Sequence, residues 1–187
     1  TKLVIEYLLK DVFKSKPNEW GIINLRYFNP IGAHPSGLIG ESPMGKPSNI
    51  FPSINQVAAK KFNKLDIYGK DWPTSDGTCI RDFIHVMDLA DGHISALEFL
   101  EAKKPQIKNF NLGTGIGTTV LELLNTFELV NKIEIPHCFL PRREGDIAKV
   151  VADNSMAVKY LNWSPKRNLE DMCRDGWRWQ SLNPNGY

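Results

Sequence analysis

The chain has 187 residues, 42% of them hydrophobic and 24% charged, the range of a soluble globular domain that can bury a sizeable core. A formal net charge of +2 with no Lys/Arg block or basic stripe excludes a nucleic-acid partner held by bulk charge, and no apolar stretch approaches the ~20 residues that span a bilayer. The cysteines Cys79, Cys138 and Cys173 are far apart and form no CxxC arrangement, so they read as reduced thiols of a cytosolic protein.

Leu3, Ile5, Leu8, Leu9, Val12 and Phe13 recur at helical spacing, so Lys2 to Ser15 is expected to form an amphipathic helix ended by Pro17, where a signal sequence would otherwise stand. Gly21 to Phe28 is a mostly apolar run too short for a helix and is expected as a strand buried on both faces. From Asn29 to Pro52 the chain is rich in Gly and Pro with little periodicity, a length of loop read here as functional. A helix over Ile54 to Phe62, a strand over Leu65 to Tyr68 and turns over Gly69 to Thr78 follow. Val86 to Leu100 is expected as a helix with Asp88 and Asp91 in its first turns, where the dipole favours negative charge. Beyond it come a strand at Asn109 to Leu112, a helix at Val120 to Val130 capped by Thr118 or Thr119, a strand at Lys149 to Ala152, a helix at Ser155 to Leu161 and a Trp-rich helix at Leu169 to Leu182. The alternation indicates an α/β fold with some strands parallel.

Some strings carry chemistry. Gly113-Thr114-Gly115-Ile116-Gly117 imitates a dinucleotide fingerprint, with Glu134 about twenty residues later. The sixth position is Thr118, however, and the cluster lies deep in the chain, which favours a tight turn into a capped helix. Arg142-Arg143-Glu144-Gly145-Asp146 can place a guanidinium fork and an acceptor around one ligand, a diphosphate and a ribose for instance, or be a solvated charge cluster. Arg81-Asp82 reads either as an internal pair entering a helix or as a second phosphate contact. His85 and His93 are too far apart for a one-turn metal pair, so no metal is expected, and Trp163, Trp177 and Trp179 read as packing residues.

Taken in order, LRYFNPIGAHPSGLIGE (25–41), GTCIRDFIHVMDLADGH (77–93), NLGTGIGTTV (111–120), RREGD (142–146) and DGWRWQSLNPNGY (175–187) resemble the UDP-glucose 4-epimerases, extended short-chain dehydrogenase/reductases. The resemblance implies that residues 1–30 are the end of a truncated NAD-binding Rossmann domain and 31–187 a C-terminal UDP-sugar-binding domain, with the 109–113 strand returning to the Rossmann sheet. The activity it implies is NAD-dependent interconversion of UDP-glucose and UDP-galactose by oxidation at C4, rotation of the 4-keto sugar and re-reduction.

By the same resemblance Lys2 is similar to the catalytic lysine of a Tyr-x-x-x-Lys pair, where it also meets the nicotinamide ribose. The tyrosine would lie just before Thr1, so the chain alone is expected to be inactive and to need an N-terminal Rossmann half as partner. Phe28 would border the nicotinamide, Tyr27 beside it would belong to the cofactor site, and Asn29 would contact the diphosphate or the hexose. Asn49, Ile50, Asp66, Ile67 and Tyr68 would frame uridine. Arg81 and Arg143 would take phosphate oxygens, and Asp146 the ribose hydroxyls. Phe83 stands where the family commonly has a phenol, which removes a hydroxyl contact, and Asp66 where many relatives have a small apolar residue. Val150 stands where side-chain size governs the C2 substituent, leaving UDP-glucose and UDP-N-acetylglucosamine forms both open. The first helix would pair subunits in a homodimer. The alternatives are a nucleotide-sugar dehydratase or decarboxylase of the same fold, and a non-catalytic UDP-sugar-binding module.

Overall fold

The computed structural model describes residues 1–43, 45 and 47–187. Helix α1 covers Lys2–Ser15, as its periodicity requires, and Lys16 N closes back on Phe13 O ahead of Pro17. Strand β1 (Ile22–Tyr27) runs almost directly into β2 (Asn29–Ile31), a short strand inside what the sequence shows only as loop. Helix α2 (Ile50–Ala58) begins ahead of the expected Ile54, because Pro52 sits in its first turn, where a missing N–H breaks no intrahelical bond.

After β3 (Leu65–Tyr68) come the short strands β4 (Ile80–Arg81) and β5 (Phe83–His85), which lead straight into α3 (Val86–Ala102). Strand β6 (Ile107–Leu112) and the two-residue β7 (Thr118–Thr119) precede α4 (Val120–Asn131). Thr119, rather than Thr118, caps α4: its hydroxyl accepts from Glu122 N while the Glu122 carboxylate accepts from Thr119 N. Strands β8 (His137–Leu140) and β9 (Lys149–Val150), then α5 (Ser155–Leu161) and α6 (Leu169–Leu182), complete the chain.

The strands pair in small parallel units: β1 with β6, β2 with β5, and β3 with β8. β4 lies between an antiparallel β7 and a parallel β9. Two apolar cores result. One packs Phe51, Ile54, Leu65, Ile67, Leu123, Phe127 and Met172 between α2, β3, α4 and α6. The other packs Leu89, Phe110, Leu112, Ala157 and Trp163 between α3, β6 and α5. Neighbouring strand residues point to opposite faces, so Phe83 enters the first core and Ile84 the second. The β4–β5 segment is thereby fixed from both sides, and Arg81 with it.

The expectation that β1 is buried on both faces fails. Its residues are half-buried or exposed, with β6 as its only sheet partner among the described residues and α1, which buries no residue, beside it. Trp163 and Trp179 are buried and Trp177 packs on the first core, all as structural side chains. The three cysteines are free, and no helix among the described residues is long and apolar enough to cross a membrane.

Candidate functional site

A cavity of 260 Å³ opens where the N-terminus of α2, strand β3, strand β4 and the loop after β8 converge. Asn29, Asn49, Ile50, Asp66, Ile67, Tyr68, Arg81, Phe83, Arg143 and Asp146 all line it. Val150 does not, although it stands opposite Arg81 in the β4–β9 ladder. Ser48, Ser53, Cys79 and Val120 line the cavity without having been singled out in the sequence. Ser53 could have been found, since it lies one helical turn beyond Asn49 and its hydroxyl donates to Asn49 O at 2.7 Å.

Two cations face this space in different ways. Arg81 is held from behind: Nη1 donates to Ile80 O and Ile147 O, each at 2.9 Å, and Nη2 reaches Asp146 Oδ1 at 3.4 Å. The Arg143 guanidinium lies 3.7 Å above the Tyr68 ring, with Nη1 donating to Ser48 O at 3.3 Å. Arg142 does not join them. It turns to Asp71 at 2.8 Å and stacks 4.0 Å from Trp72, so the adjacent arginines part instead of forming one fork around a ligand. Burial pushes the Cys79 thiol upward, which keeps it neutral in the cavity wall.

The reading of Arg81-Asp82 as an internal pair entering a helix fails, because Arg81 ends β4, Asp82 lies between β4 and β5, and the two face different partners. The Asp82 carboxylate, fully buried, accepts from Thr114 N at 2.8 Å, Thr114 Oγ1 at 2.6 Å, Gly115 N at 2.9 Å and Ala152 N at 3.1 Å. The glycine turn at 113–117 thus does bind an anion, and the anion is the protein's own carboxylate. Gly115 adopts φ +76°, and a Cβ on Gly113 would stand 2.8 Å from Asp82 Oδ2, so the turn closes tightly on that group.

A larger cavity of 570 Å³ shares Asn49 with the first. Pro30, Ile31, Ala33, Val86, Met87 and Ala90 give it an apolar wall, and its carboxyl group, Glu41, is pushed towards protonation by burial. Volume would favour this cavity, but a phosphorylated ligand needs the guanidinium groups of the smaller one.

Lys2, Tyr27 and Phe28 line neither cavity. Lys2 is exposed on the first turn of α1, and Tyr27 and Phe28 mark the C-terminal end of β1. His93 donates from Nδ1 to Leu89 O at 2.8 Å, which leaves Nε2 to accept the Tyr27 hydroxyl at 3.0 Å. Among the described residues no group of three or more His, Cys, Asp or Glu side chains could hold a metal ion.

Residues 1–113 match the profile of the NAD dependent epimerase/dehydratase family. A UDP-glucose 4-epimerase of Dictyostelium discoideum is 54% identical over 187 residues, all of this chain and 54% of the relative. Among solved structures, a UDP-glucose-4-epimerase from Stenotrophomonas maltophila with bound NAD and formylated UDP-arabinopyranose superposes with a TM-score of 0.94 at 49% identity, over 98% of this chain and 54% of that one. One from Bifidobacterium longum in complex with NAD+ and UDP also gives 0.94, at 44% identity, over 100% of this chain and 55% of that one. The chain spans about half the length of the curated relatives it matches.

Proposed function

The chain belongs to the NAD dependent epimerase/dehydratase family, and from that premise we propose that it forms the UDP-sugar site of an enzyme interconverting UDP-glucose and UDP-galactose with NAD. The observation that carries the proposal is the convergence of Arg81 and Arg143, from segments far apart in sequence, on one polar cavity whose other walls are Asn49, Tyr68 and Asp146. Two guanidinium groups suit the two charges of a diphosphate, an aromatic ring suits the flat face of a base, and a carboxylate suits ribose hydroxyls.

In this reading Arg81 and Arg143 grip the diphosphate, Asp146 accepts from the ribose, and Asn49, Ile50 and the Asp66–Tyr68 strand frame uracil. Asn29, beside Phe83 on the cavity wall, meets the diphosphate or the hexose. Binding strength is concentrated on the nucleotide, so the sugar can be held loosely enough to present either face at C4. Val150, next to the anchor and outside the cavity, bears on the C2 substituent.

The residues of this chain fit one edge of a dinucleotide. Tyr27 and Phe28 stand at the C-terminal end of a parallel strand, the usual ligand side of such sheets, and Lys2 lies one helical turn before Glu6, which bonds Arg26 beside them, while the glycine turn at 113–117 is taken by Asp82 and offers no phosphate cradle. NAD, when bound, supplies hydride acceptance and return at the sugar C4. Lys2 would hold the nicotinamide ribose and, by its positive charge, favour the ionised form of a phenol that takes the O4 proton. Turnover therefore belongs to this segment joined to an NAD-binding half.

Calorimetric titration of the chain with UDP tests the anchor. Arg143→Ala should weaken binding by ~1.5–3 kcal/mol, the scale of a hydrogen bond to a charged group. Unchanged affinity would remove Arg143 from the site.

A further inference from the structure

Glu6 and Arg26 form a two-point bond between helix and strand. Arg26 Nε donates to Glu6 Oε1 at 2.7 Å and Nη2 donates to Oε2 at 2.5 Å. The same carboxylate accepts from Asn109 Nδ2 at 3.2 Å, and Asn109 Oδ1 accepts from Asn24 Nδ2 at 2.8 Å. Asn24 and Asn109 are register partners in the β1–β6 ladder, so the carboxylate is tied to both strands. The Glu6 side chain is only 18% exposed, whereas α1 as a whole has no buried residue. Apolar packing is therefore a weak hold on this helix, and the polar cluster fixes its rotation and its height along β1.

What the cluster fixes is chemically pointed. Lys2 lies four residues before Glu6, one turn earlier on the same helix face. Arg26 directly precedes Tyr27 and Phe28. A single bidentate bond thus sets the spacing between the turn that carries Lys2 and the strand end that carries Tyr27 and Phe28. A guanidinium–carboxylate fork constrains direction as well as distance, which a Lys–carboxylate contact would not.

We propose that Glu6 and Arg26 are positioning residues that hold Lys2 in register with the Tyr27–Phe28 edge, a role that rests on the reading of Lys2 as the residue beside the cofactor. Neither side chain lines the 260 Å³ cavity, so their loss should leave nucleotide binding alone.

The test is steady-state turnover of UDP-galactose by the full-length protein containing this segment and its NAD-binding half, for Glu6→Gln, Arg26→Lys, the exchanged pair Glu6→Arg with Arg26→Glu, and Lys2→Met. The expected result is a fall in kcat of roughly ten- to a hundredfold for Glu6→Gln, the scale of a misplacement near 1 Å, with KM for the UDP-sugar within about twofold. Arg26→Lys keeps the charge without the fork and should retain only part of kcat; the exchanged pair should have a higher kcat than Glu6→Arg alone or Arg26→Glu alone. Faster amide exchange confined to α1 in Glu6→Gln would show a loosened helix in a folded protein. If Lys2→Met abolishes turnover and folded Glu6→Gln or Arg26→Lys retains wild-type kcat, the positioning role is overturned. If Lys2→Met itself retains turnover, the reading of Lys2 fails instead.

Discussion

Asp146 sits in an ion pair with Arg81 at 3.4 Å, yet the proposed ligand asks it to leave that pair for ribose hydroxyls. The distance is long for such a bond and the Asp146 side chain is 35% exposed, so the contact is a loose one that a ligand can displace. Its presence also means that a bare diphosphate meets Arg81 already half-neutralised. Asp146→Asn should then raise affinity for inorganic pyrophosphate about three- to tenfold, the size of one partly exposed pair, while lowering affinity for UDP through the lost carboxylate acceptor. Paired titrations with the two ligands read this directly, and affinities that move together would show that Asp146 acts on charge alone. Asp82, the neighbour of Arg81, illustrates the opposite case. Its four accepted bonds tie the segments at 114–115 and 152 to the β4–β5 strand, which sets where Arg81 begins.

Between elements, one contact sensitive to pH joins the start of α3 to α6. His85 is fully buried; its Nδ1 accepts from Met87 N at 3.0 Å and its Nε2 lies 3.3 Å from Asp175 Oδ2 on α6. Burial lowers its pKa below the ordinary 6.5, outweighing the pull of Asp175. The unfolded chain therefore binds this proton more readily than the folded one, so the contribution of His85 is complete above about pH 6.5 and is lost as pH falls from there towards the folded value. Urea unfolding between pH 7.5 and 5 should show stability dropping on the acid side, with a shallower slope in His85→Gln; equal slopes would assign the drop to other groups. Asp71 and Asp171 are shifted down from 3.8 chiefly by Arg142 and Arg174, and Asp76 is shifted down although burial raises it, because the hydroxyl and backbone donors around it together outweigh that burial; the contributions of all three are lost only at more acid pH. How far these elements could be read beforehand follows the same physics. Lys2–Ser15, Ser155–Leu161 and Leu169–Leu182 show helical periodicity over their whole length and form where expected. Strands β2, β4, β5 and β7 are two or three residues long, too short for any period, and exist only because a partner elsewhere in the chain completes their ladder. Ten of the cavity-lining residues follow from the family motifs and Ser48, Ser53, Cys79 and Val120 do not; that Arg142 turns away while Arg143 turns in depends on Asp71 and Trp72 being near, which no local string reveals.

At the scale of the whole chain, the distribution of apolar surface is uneven. The two cores close over β3–β5 and α2–α6, whereas α1 leaves Leu3, Val4, Ile5, Tyr7, Leu8 and Val12 between 41% and 60% exposed. Those residues spread over several faces: Val4, Leu8 and Val12 follow one i, i+4 line and Leu3 and Tyr7 another, while β1 alongside offers the exposed Tyr27. A helix apolar around so much of its circumference is suited to cover from more than one side, and here one side is met by β1 through the Glu6–Arg26 cluster. Exposed apolar area of this extent drives association in water, and a second copy of the same helix is the partner always present at equal concentration. The isolated chain should therefore self-associate, its sedimentation coefficient rising with concentration over the micromolar to millimolar range. Val4→Glu with Leu8→Glu, which places charge on one line of that surface without touching Glu6, Arg26 or the 260 Å³ cavity, should return it to a monomer while leaving UDP affinity within about twofold. A wild-type chain that stays monomeric throughout the range would show that this surface is tolerated bare, and loss of UDP binding in the variant would show that α1 and the cavity are coupled.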